Sequence, residues 1–293
     1  MQYFVLFVFG SVIGSFLNVI SLRYKPNQKL LNKKIIGGRS HCLNCNKKLT
    51  WYELIPIVSF LLQFGKCRKC GKRLSFQYPI VEVLSGLIFV FVPFILTNNF
   101  QFTFSNNFQT ALIFCWLLIF SLFILLSIID IRYSIIPNSL NLSLTVLGFV
   151  LIIIKFFYEK SYFLNGYLNN SFLGHYAPVF GLERNIWFNH LFAALVGLIF
   201  FGLIIFLSKG KAMGMGDFKL VFGLGLIFGW PDILMVLLLS FIVGSLISVF
   251  FMIIKKKKMK DPIPFGPFLA IGSFFTFFFG YQIIDWYFKI FGL

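Results

Sequence analysis

The chain has only nine acidic residues: Glu53, Glu82, Asp130, Glu159, Glu183, Asp217, Asp232, Asp261 and Asp285. A carboxylate close to hydrocarbon is costly and is a functional candidate by default. Glu82, Asp130 and Asp217 sit at the edges of long apolar runs, on the side where basic residues collect. Asp130 closes one run in Ser127-Ile-Ile-Asp130-Ile-Arg132, ahead of Pro137, and Asp217 ends Gly214-Met-Gly216-Asp217, just before Lys219. The two glycines allow close backbone approach and unusual torsions beside the carboxylate. Both Asp are expected at one membrane depth, where they could meet. Two carboxylates in one site resist double ionisation, so the pair shares a proton and titrates as a unit. One can then act as base on water while the other donates a hydrogen bond to a scissile carbonyl, which suits peptide hydrolysis. From these residues alone two plainer readings stay open: Asp130 paired with Arg132 or Lys211, and Asp217 as a helix N-cap.

The cysteines form a second constellation. Cys42-Leu-Asn-Cys45 and Cys67-Arg-Lys-Cys70 lie in one polar loop. Two such pairs can give four thiolates to one tetrahedral Zn²⁺, in a reducing compartment rather than as disulfides. Asn46 and Gly71 follow the pairs, and both tolerate left-handed backbone. Four cysteine ligands leave no position for water, so the metal reads as structural, stapling a loop too short and polar to fold alone. Unligated or redox-active pairs are the alternative, and His41 could replace a ligand. Cys115 lies in an apolar run and reads as a packing residue.

These residues need helices in lipid to position them. The 293 residues are 59% hydrophobic and 12% charged, with a mean hydropathy of +0.89, far from the roughly one-quarter charged residues of soluble domains. Runs at 3–21, 79–97, 109–129, 139–157, 188–208, 218–231, 233–254 and 265–286 are candidate spans, the sixth of them short. The fold class is therefore an all-α polytopic membrane protein of about eight transmembrane helices, or seven if the sixth run is re-entrant or merges with its neighbour. A cytoplasmic zinc-binding loop joins the first two spans. The division expected is a first helix at 1–22, the four-cysteine loop at 23–78 and a transmembrane domain at 79–293. With eight spans, all of the 26 Lys and Arg except Lys155, Lys160, Arg184 and Lys289 fall on one side, which is then the cytoplasm. That placement explains the net charge of +17 without nucleic acid. Both termini are expected outside, and the first run, with Arg23 and Lys25 after it, reads as a retained span rather than a cleaved signal peptide. Lys255–Lys258 reads as an anchor that meets anionic lipid headgroups. The external loop at 158–187 carries no recognisable chemistry.

In order along the chain, several stretches resemble the type IV prepilin peptidases, a family of membrane aspartic proteases. They are Gly10-Ser-Val-Ile-Gly14-Ser-Phe-Leu-Asn18, the double cysteine loop, Trp51-Tyr-Glu53-Leu-Ile-Pro56, Tyr78-Pro79-Ile-Val-Glu82, Asp130 with Pro137, and Gly214-Met-Gly216-Asp217 with Lys219. The resemblance covers about residues 10–225. It implies removal of a short basic leader from type IV prepilins or pseudopilins, after a Gly at the cytoplasmic face of the bacterial inner membrane. Asp130 and Asp217 match the family's catalytic aspartates. The cysteine loop further implies methylation of the new N-terminal residue, usually Phe, from S-adenosylmethionine. Asn18, Glu53 and Glu82 are candidates for that donor site and equally for structural hydrogen bonding. Where the family often has an acidic residue after Ile-Pro, this chain has Asn138.

Other classes compete. The same acidic residues could serve a membrane carrier or proton-coupled transporter, although no internal repeat supports it. A non-catalytic assembly factor and a Gly-x-Gly-Asp protease that cuts within helices are further alternatives.

Overall fold

The computed structural model describes the whole chain except positions 27, 29, 31, 43, 100–105, 162–170, 182–184, 212, 255–262, 291 and 293, together with the side chains of 33, 34, 99 and 161. Lys255–Lys258, Asp261 and much of the 158–187 loop therefore lie outside the described residues. Among the described residues ten α-helices run in order: α1 Gln2–Arg23, α2 Lys33–Ile36, α3 Val58–Leu62, α4 Gln77–Asn99, α5 Asn107–Tyr133, α6 Asn138–Ser161, α7 Ile186–Leu207, α8 Met215–Phe228, α9 Asp232–Ile253 and α10 Gly266–Ile290. Among the described residues there are no strands, only two isolated bridges in the cysteine loop.

Seven of these helices, all but α2, α3 and α8, are long and apolar enough to cross a membrane. The all-helical membrane class holds. The short sixth run is α8, whose 14 residues rise about 21 Å at 1.5 Å each, less than the roughly 30 Å of hydrocarbon.

The chain divides into two compact units, residues 1–101 with 116–129 and residues 102–115 with 130–293. In the first, α1 lies against α4. Small residues set that approach: a Cβ on Gly14 would come within 2.8 Å of Ser85 Cβ and 2.9 Å of Glu82 Cα. Without a hydrophobic drive between helices in lipid, such close backbone contact and polar ties hold them together. Asn18 supplies ties, donating to the Tyr78 carbonyl at 3.2 Å and accepting from Gln77 Nε2 at 3.1 Å.

In the second unit α8 is packed by α6 and α7. Leu220, Val221 and the unbroken run from Gly223 to Phe228 are buried, as expected of a helix apolar all round. A Cβ on Gly225 would lie 2.5 Å from Ala194 N, and one on Gly197 would lie 2.5 Å from Val221 Cγ1. Ile152, Ile186, Ala194 and Leu226 form the core of this packing. α10 lies against α9 in the same way, with Gly272 facing Val236 and Ser240.

Polar side chains tie the far ends of these helices. Asp232 accepts from Ser171 Oγ at 2.5 Å and from the Phe172 N–H at 3.1 Å. Asn189 donates to the Trp230 carbonyl at 2.8 Å and accepts from its N–H at 3.0 Å. Lys155 Nζ lies 3.3 Å from His190 Nε2.

Candidate active site and metal centre

Asp130 and Asp217 belong to the same unit. Asp130 stands in the last turn of α5, which ends where Ser134 takes a left-handed conformation at φ 51°. Asp217 stands in the first turn of α8, whose N-cap is Gly214, so it is not itself the cap. An acidic side chain there complements the positive end of the helix. The fold brings the two carboxylates within electrostatic reach of each other. Asp130 is buried, at 3% exposure.

Neither Asp has a cationic partner among the described residues. Arg132 lies over the Tyr133 ring instead, 5.4 Å from its centre. Asp130 Oδ2 accepts the backbone N–H of Gly266 at 3.0 Å. That donor, at the start of α10, belongs to no motif legible in the sequence.

The start of α6 holds the Gly-x-Gly-Asp turn. Asn141 Nδ2 donates to the Gly216 carbonyl at 3.0 Å, and Lys219 Nζ donates to Asn138 Oδ1 at 3.0 Å. The glycines meet part of the sequence expectation, close approach but not unusual torsion. Gly214 has an ordinary extended backbone, φ −84° and ψ 156°, so no unusual torsion is needed there. Gly216 answers to close approach, since a Cβ would sit 3.2 Å from Ile136 Cβ.

In the first unit the four cysteine sulfurs lie within 4.8 Å of one another. Cys42 and Cys70 are 3.9 Å apart, as are Cys45 and Cys67. Zn–S bonds of about 2.3 Å at tetrahedral angles place sulfurs about 3.8 Å apart, so the donor set fits zinc. Two matching turns build it. Cys42 N–H donates to Lys47 O at 3.0 Å and Asn46 N–H to Cys42 O at 2.9 Å; Cys67 N–H donates to Lys72 O and Gly71 N–H to Cys67 O, both at 2.9 Å. Each turn closes on a left-handed residue, Asn46 at φ 53° and Gly71 at φ 66°. The Lys72 backbone N–H, ahead of the Asn44 side chain, holds the Cys70 thiol down to about 6. His41 stands outside this four-sulfur set.

The donor-site candidates separate. Asn18 is engaged with Gln77 and Tyr78, as above. Glu53 accepts from the Thr50 N–H, Thr50 Oγ1 and Lys47 Nζ, each at 2.9 Å. The Thr50 backbone donor, then Lys47, hold its carboxyl down to about 2. Glu82 accepts the Ile57 N–H at 2.7 Å and pairs with no cation among the described residues. Ile57 is strained: its φ 63° and ψ −55° form a tight γ-turn closed by Val58 N–H on Pro56 O at 2.5 Å. A β-branched residue rarely adopts such a conformation, which costs on the order of 1–3 kcal/mol.

These features define a multi-pass helical membrane protein with a four-cysteine loop. Residues 8–96 match the family model described as Bacterial Peptidase A24 N-terminal domain, and residues 116–249 match the Type IV leader peptidase family. The prepilin leader peptidase/N-methyltransferase of Bacillus subtilis (strain 168) is 30% identical over 98% of this chain and 98% of its own. That of Xanthomonas campestris pv. campestris is 30% identical over 97% of this chain and 93% of its own, and that of Aeromonas hydrophila 29% over 96% and 92%. No solved structure matches. The chain belongs to the type IV prepilin leader peptidase/N-methyltransferase family.

Proposed function

We propose that this chain removes the leader from type IV prepilins or pseudopilins through Asp130 and Asp217, and then methylates the new N-terminus. The observation that supports the peptidase reading is that two carboxylates from distant parts of the chain lie within electrostatic reach of each other, with no ion-pair partner among the described residues. Held together, they share one proton. The ionised member takes a proton from water, and the protonated member donates to the scissile carbonyl. The Gly266 N–H fixes the Asp130 carboxylate without supplying a competing charge.

The site faces the cytoplasm of the inner membrane in this reading, on the side where Lys and Arg collect. A prepilin presents its cleavage bond there, between a basic leader and an apolar helix. The Cys42, Cys45, Cys67 and Cys70 thiolates hold a structural Zn²⁺, which offsets half of their charge and ties the two turns together. The methyl donor is S-adenosylmethionine, and residues 23–78 serve that second activity.

Asp130→Asn and Asp217→Asn test the dyad. Each variant should stay in the membrane and leave a co-expressed prepilin uncut. Normal leader removal by either one rejects the assignment.

A further inference from the structure

One buried carboxylate of the first unit, Glu82, forms no ion pair among the described residues, although Arg23, Lys72 and Arg73 line the cavity beside it. Glu82 is 5% exposed and lies on the wall of a cavity of about 400 Å³, shared with Ser15, His41, Phe60, Arg73 and Tyr78. That volume is in the range of small-molecule sites. A carboxylate can accept about four hydrogen bonds. Glu82 receives the Ile57 N–H and the Ser15 side chain, but no cationic side chain among the described residues. An unpaired buried carboxylate is expensive, and its place on a cavity wall suits a ligand that brings the positive charge. The strained turn at Ile57 aims its N–H at this one carboxylate. Strain of that kind gathers at functional sites. Glu53, on the same wall, is already paired with the Lys47 cation and accepts two bonds from Thr50.

We propose that Glu82 receives the terminal ammonium of the mature substrate in this cavity and accepts its proton for methyl transfer. The inference rests on the methyl-transfer reading above. S-adenosylmethionine supplies a methyl group on a positively charged sulfur. The ammonium gives one proton to the Glu82 carboxylate. The freed nitrogen lone pair forms the new N–C bond as the C–S bond breaks, its electrons staying on sulfur.

The test uses full-length protein in detergent. Mass spectrometry reads the methylated share of cleaved prepilin, and calorimetry reads binding of phenylalaninamide and of 3-phenylpropanamide, which lacks the amine. Glu82→Gln keeps an acceptor for the Ile57 N–H but removes the charge. Its methylated share should fall about tenfold or more, with partial recovery in Glu82→Asp. Wild type should bind phenylalaninamide at least about tenfold tighter than the amine-free probe, and Glu82→Gln should lose that preference. Unchanged methylation in Glu82→Gln, or equal binding of the two probes by wild type, overturns the proposal. If Glu82→Gln does not accumulate, the wild-type probe comparison decides alone. If wild type makes no methylated product, the methyl-transfer reading fails, and the probes still decide whether Glu82 is an ammonium site.

Discussion

Gly225→Ala should cripple leader removal although residue 225 lies two turns of α8 away from Asp217. The added Cβ would sit 2.5 Å from Ala194 N and closer still to Ala194 Cα. Carbon contacts settle near 3.5–4.0 Å, so α7 and α8 must part by about 1 Å or more. Those obstacles are backbone atoms and cannot rotate away. Overpacking of this kind costs about 1–3 kcal/mol, and a misplacement of about 1 Å at a reacting group can cost about 10²-fold in rate. Gly223→Ala is the control, because its Cβ would meet Thr145 Oγ1 at an ordinary 3.4 Å. Membranes carrying each variant at matched levels are incubated with a prepilin, and the cut fraction is followed on a gel. Gly225→Ala should slow cleavage by about 10²-fold, with Gly223→Ala near wild type. Wild-type rates in Gly225→Ala, or equal damage in both, would refute the reasoning.

Cys67→Ser should lower bound zinc in purified protein, whereas Cys115→Ser should not; elemental analysis distinguishes them, and equal metal content removes the zinc site. Glu53 has a folded-state pKa depressed from 4.5 to about 2, so its stabilisation is present above about 4.5 and is lost as pH falls toward 2. Glu53→Gln should therefore weaken the loop at neutral pH by about 1–3 kcal/mol, a deficit that shrinks over that acid window when loop proteolysis is compared with wild type. Asp232→Ala strands the Ser171 hydroxyl and Phe172 N–H and should lower thermal stability by about 1–3 kcal/mol; an unchanged melting temperature contradicts that role.

The membrane class was legible because hydropathy reports the solvent of each helix directly. The short sixth run was legible too, since length alone separates α8 from a full span. The cysteine turns followed from local chemistry, with Asn46 and Gly71 both left-handed. Contacts across long sequence separations were not legible. The Gly266 N–H reaches Asp130 from 136 residues away, and a backbone donor leaves no side-chain signature. The Ser171–Asp232 contact, spanning 61 residues, is hidden by the same separation. Asn18, Glu53 and Glu82 looked equivalent in sequence, and only their hydrogen-bond partners distinguish them.

The most direct test of the dyad compares Asp130→Asn, Asp217→Asn and the double variant by residual cleavage rate. Two groups that act as one unit are grossly non-additive, so the double variant should be no slower than either single one. Singles that each keep substantial activity, with losses that multiply in the double variant, would contradict a shared proton between Asp130 and Asp217.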